Sequence, residues 1–325
     1  MNKSILIIGG AGYIGSHVAL EFQRQGWEIT ILDDLSSGCE ENLRPDYRFI
    51  HDSFLNRPLL KGLLQEGFDG VIHLAAKKAA GESMLKPELY SEQNIMGGLG
   101  LLEEMAASPS KNLIFSSSAA VYGDPKYLPL DEKHPTLPIN YYGYTKLCFE
   151  ENLKWFSQLK GIHYVALRYF NAAGYHMEGA ITGLERNPAN LIPAVMEATA
   201  GLRDKILVFG SDYPTPDGTG TRDYIHVQDL ALAHLQALQY LQKGGDSTSV
   251  NLGMGRHHSV FDIIKMTEKI TGRKVPYEIV ERRPGDAAEM YADYTLAQKL
   301  LAWDPQHSSL EQIISSTWKA YQHKA

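Results

Sequence analysis

The first fifteen residues constrain this chain more than any other stretch. A short apolar run, "SILII", leads into Gly9-Gly10-Ala11-Gly12-Tyr13-Ile14-Gly15. Next comes "SHVALEFQRQGW", whose apolar residues recur at helical spacing until a glycine stops them. Strand, glycine turn and helix in this order form a phosphate-binding turn. Glycines let backbone N–H groups approach a pyrophosphate, and the helix N-terminus adds partial positive charge. The spacing is G-x-x-G-x-x-G, and Gly9, Gly12, Tyr13, Ile14 and Gly15 are the candidate dinucleotide contacts. Glycines alone would also suit a tight strand–helix turn that holds no ligand.

The pattern continues beyond the turn. "EITILDD", "YRFIHDS", "GVIHLAA", "NLIFSSS" and "HYVALRYF" read as further strands, with helical segments at 59–64, 92–107 and 142–159. Strands alternating with helices imply right-handed crossovers and a parallel sheet, here an α/β, doubly wound, Rossmann-type fold. After Phe170 the loops lengthen, with helices at 190–200, 227–242 and 260–271. We expect a dinucleotide-binding domain over 1–170, to which 223–253 returns through the strand "SVNLG" and the helix before it. Residues 171–222 and 254–325 then form a smaller substrate lobe.

Composition excludes some functions. A net charge of -7 over 325 residues argues against nonspecific nucleic-acid binding. The two cysteines, Cys39 and Cys148, have no metal-ligand spacing, so neither a metal site nor a disulfide framework is expected, and a reducing compartment is. No apolar run approaches membrane length. The expectation is a soluble, cytoplasmic protein with no membrane partner.

Asp33 ends the second strand, 18 residues after Gly15, where a carboxylate can accept hydrogen bonds from an adenosine ribose. It would repel a 2′-phosphate, and no arginine follows in "LDDLSS", so NAD is favoured over NADP. Asp52, after the third strand, is placed to meet the adenine amino group.

The stretch "NYYGYTKLC" holds three tyrosines and one lysine. On a helix only Tyr142 shares a face with Lys146, four residues on. A free phenol has a pKa of about 10. A cation about 4 Å away, at an effective dielectric near 20, is worth about 4 kcal/mol and could lower that pKa by up to about 3 units. The fifth strand ends in Ser116-Ser117-Ser118, and parallel sheets bind ligands at their strand C-termini. Ser118 lies 24 residues before Tyr142, so one crossover could unite them.

With these residues in hand, the chain resembles the extended short-chain dehydrogenases/reductases and, within them, the UDP-glucose/UDP-galactose 4-epimerase family. The likeness runs nearly end to end through "GGAGYIGSH", "ILDDLSSG", "HLAAKKAAGES", "FSSSAAVYGD", "LRYFNAAG", "FGSDYPTPDGTGTRDYIHV" and "RRPGD". The last two stretches are the more specific. The resemblance implies tightly held NAD, with Tyr142 as base, Lys146 orienting it and the cofactor, and Ser118 hydrogen-bonding the sugar. Tyr142 would take the 4-hydroxyl proton as hydride leaves C4. The transient 4-keto sugar would swing about its diphosphate link and recover hydride on the other face, with no net redox.

The resemblance further implies that Lys78 and Asn94 touch the cofactor. Asn171, Asn190, Leu191, Phe209, Arg222, Tyr224, Arg283 and Asp286 would bind UDP, and Met290 would bound the sugar pocket. A homodimer built through a helix bundle is implied too, and Gly97, Gly98 and Gly100 suggest close packing there. The sequence departs from the family in having Tyr141 where proline usually precedes the catalytic tyrosine. Related dehydratases and decarboxylases carry acidic residues after the matching serine; here Ala119 and Ala120 follow Ser118. An epimerase of another UDP-sugar (N-acetylhexosamine, pentose or uronic acid) and a nonenzymatic NAD-binding regulator are the competing readings. The regulator sits poorly with an intact Tyr142–Lys146 pair.

Overall fold

A computed structural model describes residues 3–185, 188, 190–282 and 287–322. The chain opens with β1 (Ser4–Ile8), α1 (Tyr13–Arg24), β2 (Glu28–Asp33), β3 (Arg48–His51), α2 (Arg57–Gln65) and β4 (Gly70–His73). Two short helices, α3 (Ala80–Ser83) and α4 (Pro87–Tyr90), lead through a π-helical stretch, Ser91–Met96, into α5 (Gly97–Ala106). Then come β5 (Asn112–Ser118), α6 (Tyr141–Lys160), β6 (His163–Tyr169), β7 (Asn171–Ala173), α7 (Leu191–Ala200), β8 (Ile206–Phe209), β9 (Thr221–Arg222) and β10 (Tyr224–His226). The chain finishes with α8 (Val227–Gln242), β11 (Thr248–Leu252), β12 (His258–Ser259), α9 (Val260–Thr271), β13 (Tyr277–Val280), β14 (Glu289–Met290), α10 (Thr295–Leu301) and α11 (Leu310–Tyr321).

Seven strands form one parallel sheet in the order β11-β6-β5-β4-β1-β2-β3. The order reverses between β1 and β4, and a crevice opens at the strand C-termini beside such a switch point. A parallel sheet covered on both faces needs strands that are apolar throughout. Ile5, Ile7 and Ile31 accordingly face a core shared with α1 and α8 residues such as Val18, Phe22, Leu230 and Leu238. Leu6, Ile8 and Leu113 face the opposite core with Leu60, Leu63, Leu101, Phe149 and Leu153 of α2, α5 and α6. Within 223–253, β11 pairs with β6 at this sheet's edge.

A third core joins α7, α9 and α11 to β8, through Val195, Met196, Ile263, Ile313, Ile314 and Val208, with Tyr13 packed against it. Sequence reasoning missed α10 and α11. For α11 the signal was present: Ser309 caps it by accepting from Gln312 N, and Leu310, Ile313, Ile314, Thr317 and Tyr321 share its buried face.

The helix expected over 92–107 is broken, because 91–96 is wound as a π-helix before α5. Its glycines pack closely against residues of their own chain. A Cβ on Gly98 would lie 2.6 Å from the Phe149 ring, and one on Gly97 would lie 2.6 Å from Leu55.

Candidate active site

The glycine turn is fixed by sterics. Gly9 has φ +87°, where a side chain would be strained, and a Cβ there would lie 2.6 Å from Ala75 N. A Cβ on Gly15 would lie 2.1 Å from Gly9 O, so the turn closes only with glycine there. Gly12 differs, since the nearest atom to a Cβ is Gly9 O at 3.4 Å. It is the N-cap of α1, no side chain caps that helix, and its first turn holds no acidic residue. Orphan N–H groups and an uncompensated dipole suit a pyrophosphate. The side chains of Tyr13 and Ile14 serve the protein instead. Tyr13 Oη donates to Gly174 O at 2.5 Å, and Ile14 packs against the first core.

Asp33 is nearly buried and accepts from Ala11 N (3.0 Å) and Leu35 N (2.9 Å). Burial raises its carboxyl pKa, and these N–H groups pull it down. Each oxygen retains acceptor capacity for a ribose hydroxyl. Asp52 accepts from Ser53 N and Asn56 Nδ2 at the entry to α2. Lys78 forms an ion pair with Glu185. Asn94 is committed: Oδ1 accepts from Lys77 N (2.9 Å), and Nδ2 donates to Lys77 O (2.9 Å) and Thr145 Oγ1 (3.0 Å). It fastens the loop after β4 to α6. A glycine cradle, an open helix N-terminus and Asp33 together fit a dinucleotide.

The catalytic candidates lie at the start of α6 and the end of β5. Asn140 caps α6 by accepting from Gly143 N at 2.8 Å. Of the three tyrosines, Tyr144 is exposed and Tyr141 Oη meets Ser91 Oγ at 2.6 Å. Tyr142 is half-buried, and its phenol lies close enough to the Ser118 side chain to be influenced by it. Its backbone N–H donates to Ser83 Oγ at 3.0 Å. Lys146 is 3% exposed. Its Nζ donates to Ser116 O at 2.7 Å and lies 5.8 Å from the Tyr142 ring centroid and 4.8 Å from that of Phe115.

The electrostatics correct one expectation. Lys146 does not dominate the Tyr142 phenol in the protein alone: burial raises the phenol's pKa, and the Ser118 side chain lowers it. Burial also pushes the Lys146 ammonium down to about 7, with Glu150 pulling it back up. The low dielectric that would strengthen the attraction also penalises the charge that makes it.

Among the UDP candidates, Asn171 and Tyr224 are neighbours in the β7–β10 register, and Arg222 and Met290 in the β9–β14 register. Asn171 Nδ2 donates to Asp223 O at 3.0 Å. Arg222 Nη1 donates to the carbonyls of Thr221 and Ala287, both at 2.8 Å. The plain alternative, a surface ion pair between Arg222 and Asp223, does not hold. Asp223 is fully buried and accepts from the backbone N–H groups of Met254, Gly255 and Ala292. Burial pushes its carboxyl up to about 7. Asn190 is the N-cap of α7, Leu191 is its first residue, and no acidic side chain lies in its first turn. Phe209 ends β8. Met290 packs on the small core formed by Ala119, Val121, Tyr122 and Phe170, directly after Ser118. Arg283 and Asp286 lie outside the described residues.

Sequence reasoning missed a buried network beneath the catalytic pair. Glu150 follows Lys146 by one helical turn and bonds Arg168 of β6. The signal was a lone arginine in the apolar strand "HYVALRYF".

The family model for the NAD dependent epimerase/dehydratase family matches residues 5–253. A UDP-glucose 4-epimerase of Halalkalibacterium halodurans is 43% identical over 97% of this chain and 94% of its own length. A crystal structure of UDP-glucose 4-epimerase from Brucella ovis in complex with NAD superposes with a TM-score of 0.96 at 40% identity, covering 98% of each chain. One from Bifidobacterium longum, in complex with NAD+ and UDP, gives 0.92 at 36% identity over 99% of this chain and 98% of that one. A glycine cradle at a parallel-sheet switch point, with a tyrosine, a serine and a buried lysine beside it, thus agrees with the comparisons: the chain belongs to the NAD dependent epimerase/dehydratase family.

Proposed function

We propose that this chain interconverts UDP-glucose and UDP-galactose at C4 through a transient 4-keto sugar, without net redox. The observation that carries this reading is the buried Lys146, whose Nζ lies 5.8 Å from the Tyr142 ring centroid and donates to Ser116 O, with Ser118 two residues on at the C-terminal end of β5. Tyr142 removes the proton of the sugar 4-hydroxyl and later returns it. Ser118 holds the same oxygen, and its hydroxyl eases the phenol toward its anion. Lys146, when charged, stabilises that anion. The turn at Gly9, Gly12 and Gly15 holds the diphosphate of NAD, and Asp33 its adenosine ribose. Held by these residues, NAD would supply the hydride acceptor and donor that C4 requires.

Epimerisation is favoured over dehydration because the turn after Ser118 offers only Ala119 and Ala120, with no carboxyl to move a second proton. Arg222, Asn171 and the open N-terminus of α7 suit a diphosphate, which anchors the substrate while the keto sugar turns. Met290, beside the Ser118 turn, limits the room for bulkier sugars.

Two copies pair through α5 and α6. The support is the exposure of Met96, at the end of the π-helical stretch before α5, and of Tyr144, Trp155 and Leu159 on α6, from 48% to 69%. A sedimenting monomer would refute the pairing. Cys39 and Cys148 form no disulfide, which suits a reducing compartment such as the cytoplasm, and no described helix is long and apolar enough to cross a membrane.

The test is to mix purified protein with UDP-galactose, first without and then with added NAD. UDP-glucose should form. No product even with NAD refutes the reading.

A further inference from the structure

The Glu150–Arg168 pair lies directly behind the catalytic residues, and its satisfaction is unusually complete. Glu150 is 0% and Arg168 5% exposed. Arg168 Nε donates to Glu150 Oε1 at 3.0 Å and Nη2 to Oε2 at 2.5 Å. Ser117 Oγ donates to Oε1, and Ser249 Oγ to Oε2 at 3.3 Å. The remaining guanidinium nitrogen, Nη1, donates to Tyr122 Oη at 3.0 Å, which donates in turn to Asn251 Oδ1 at 2.6 Å.

Stability alone does not call for charges here. An apolar pair of similar volume usually serves a buried position as well or better. What an apolar pair cannot supply is negative charge beneath Lys146. The other groups facing that lysine offer none. Tyr142 is a neutral phenol on the same helix. His73 of β4 is held neutral, at about 3, by burial and by Lys146 itself. β5 presents the Ser116 carbonyl and the Phe115 ring. Arg168 of β6 is a cation that stays charged because Glu150 outweighs the effect of its burial. Among the described groups, Glu150 alone raises the Lys146 pKa.

We propose that Glu150 is a positioning residue that keeps the buried Lys146 ammonium protonated, while Arg168 holds the Glu150 carboxylate against β5 and β6 so that it can do so. The carboxylate is fully buried and occupied by Arg168, Ser117 and Ser249. It acts one helical turn away, through the lysine. This inference rests on the proposed epimerisation for its meaning, but not for its test.

The test follows Lys146 itself, by NMR of protein labelled at lysine Cε, with Lys146→Met identifying the resonance. Glu150→Gln leaves Arg168 unopposed, and Lys146 should titrate about one pH unit or more lower. Glu150→Asp keeps the charge and should stay near the parent value. Should Glu150→Gln fail to fold, the double variant Glu150→Leu/Arg168→Met removes both charges together. That variant should regain thermal stability yet keep the lowered Lys146 titration. In turnover, the alkaline limb of the kcat profile should move acidward by the same interval, while KM for UDP-galactose changes little. A folded double variant whose Lys146 titrates as in the parent would overturn the proposal. Loss of epimerase activity in the parent would refute the functional reading and leave the lysine titration to judge Glu150.

Discussion

Replacing Lys146 by Met removes a cation beside Tyr142 and keeps much of its bulk. The size of the effect follows from geometry. Nζ lies 5.8 Å from the Tyr142 ring centroid. At an effective dielectric near 20, a unit charge at that distance stabilises a phenolate by about 3 kcal/mol, which is about 2 pKa units or about a hundredfold in rate. Lys146 is itself pushed down to about 7, so this full effect applies on the acidic side of neutrality and fades above it. The assay is kcat for UDP-galactose conversion across pH 5.5 to 9.5, about the range where such groups titrate. The variant should lose about a hundredfold at about pH 6.5, and the loss should shrink above neutrality, where Lys146 gives up its charge. Methionine at this site leaves Ser116 O without its donor, a structural loss. Thermal unfolding of the same preparation separates that from the electrostatic effect. A folded variant within about threefold of the parent at about pH 6.5 would refute the reasoning, since about 0.6 kcal/mol is far below the charge effect.

Other consequences can be checked directly. Gly12→Ala meets nothing closer than 3.4 Å and should melt near the parent temperature, yet retain at least about tenfold less dinucleotide, because the methyl group fills the cradle. Gly15→Ala, whose Cβ would sit 2.1 Å from Gly9 O, should lose stability as well. Equal melting temperatures for the two variants would contradict this. Met290→Tyr should impair UDP-N-acetylglucosamine turnover, where present, more than UDP-glucose turnover; equal losses would remove Met290 from the pocket. The urea midpoint should fall between pH 7.5 and pH 5, about the window set by the imidazole pKa values. His17, His73, His226 and His234 are buried, with pKa values pushed down to about 4, 3, 3 and 4. Below the ordinary imidazole range, near 6.5, the unfolded chain takes up protons that the fold refuses. Their contribution is therefore present above that range and lost as pH falls toward the folded values. Asp223, raised to about 7, opposes them with one carboxyl against four imidazoles. A midpoint that rises on acidification would show these histidines charged in the fold.

Much of this was legible in the sequence because it is local. The glycine turn, the period-3.6 faces of α1 and α6, and the Tyr142–Lys146 offset each follow from residues within a few positions of one another. Asn140 announces α6 by capping it. What stayed hidden depends on long-range packing. The π-helical stretch before α5 accompanies contacts of Gly97 and Gly98 with Leu55 and Phe149, which are far apart in sequence. The two-residue strands β9, β12 and β14 have no periodicity to read. The Glu150–Arg168 pair spans α6 and β6, and neither residue predicts its partner alone. Burial is the largest influence on both the Tyr142 phenol and the Lys146 ammonium, which spacing does not report.

The central claim is that the Tyr142 hydroxyl moves the proton at the sugar 4-oxygen. Tyr142→Phe removes that one oxygen and leaves the ring in place. The account predicts that kcat for UDP-galactose falls by about 10²- to 10⁴-fold while the purified variant retains as much NAD as the parent. Parent-level turnover by a folded Tyr142→Phe variant would contradict it.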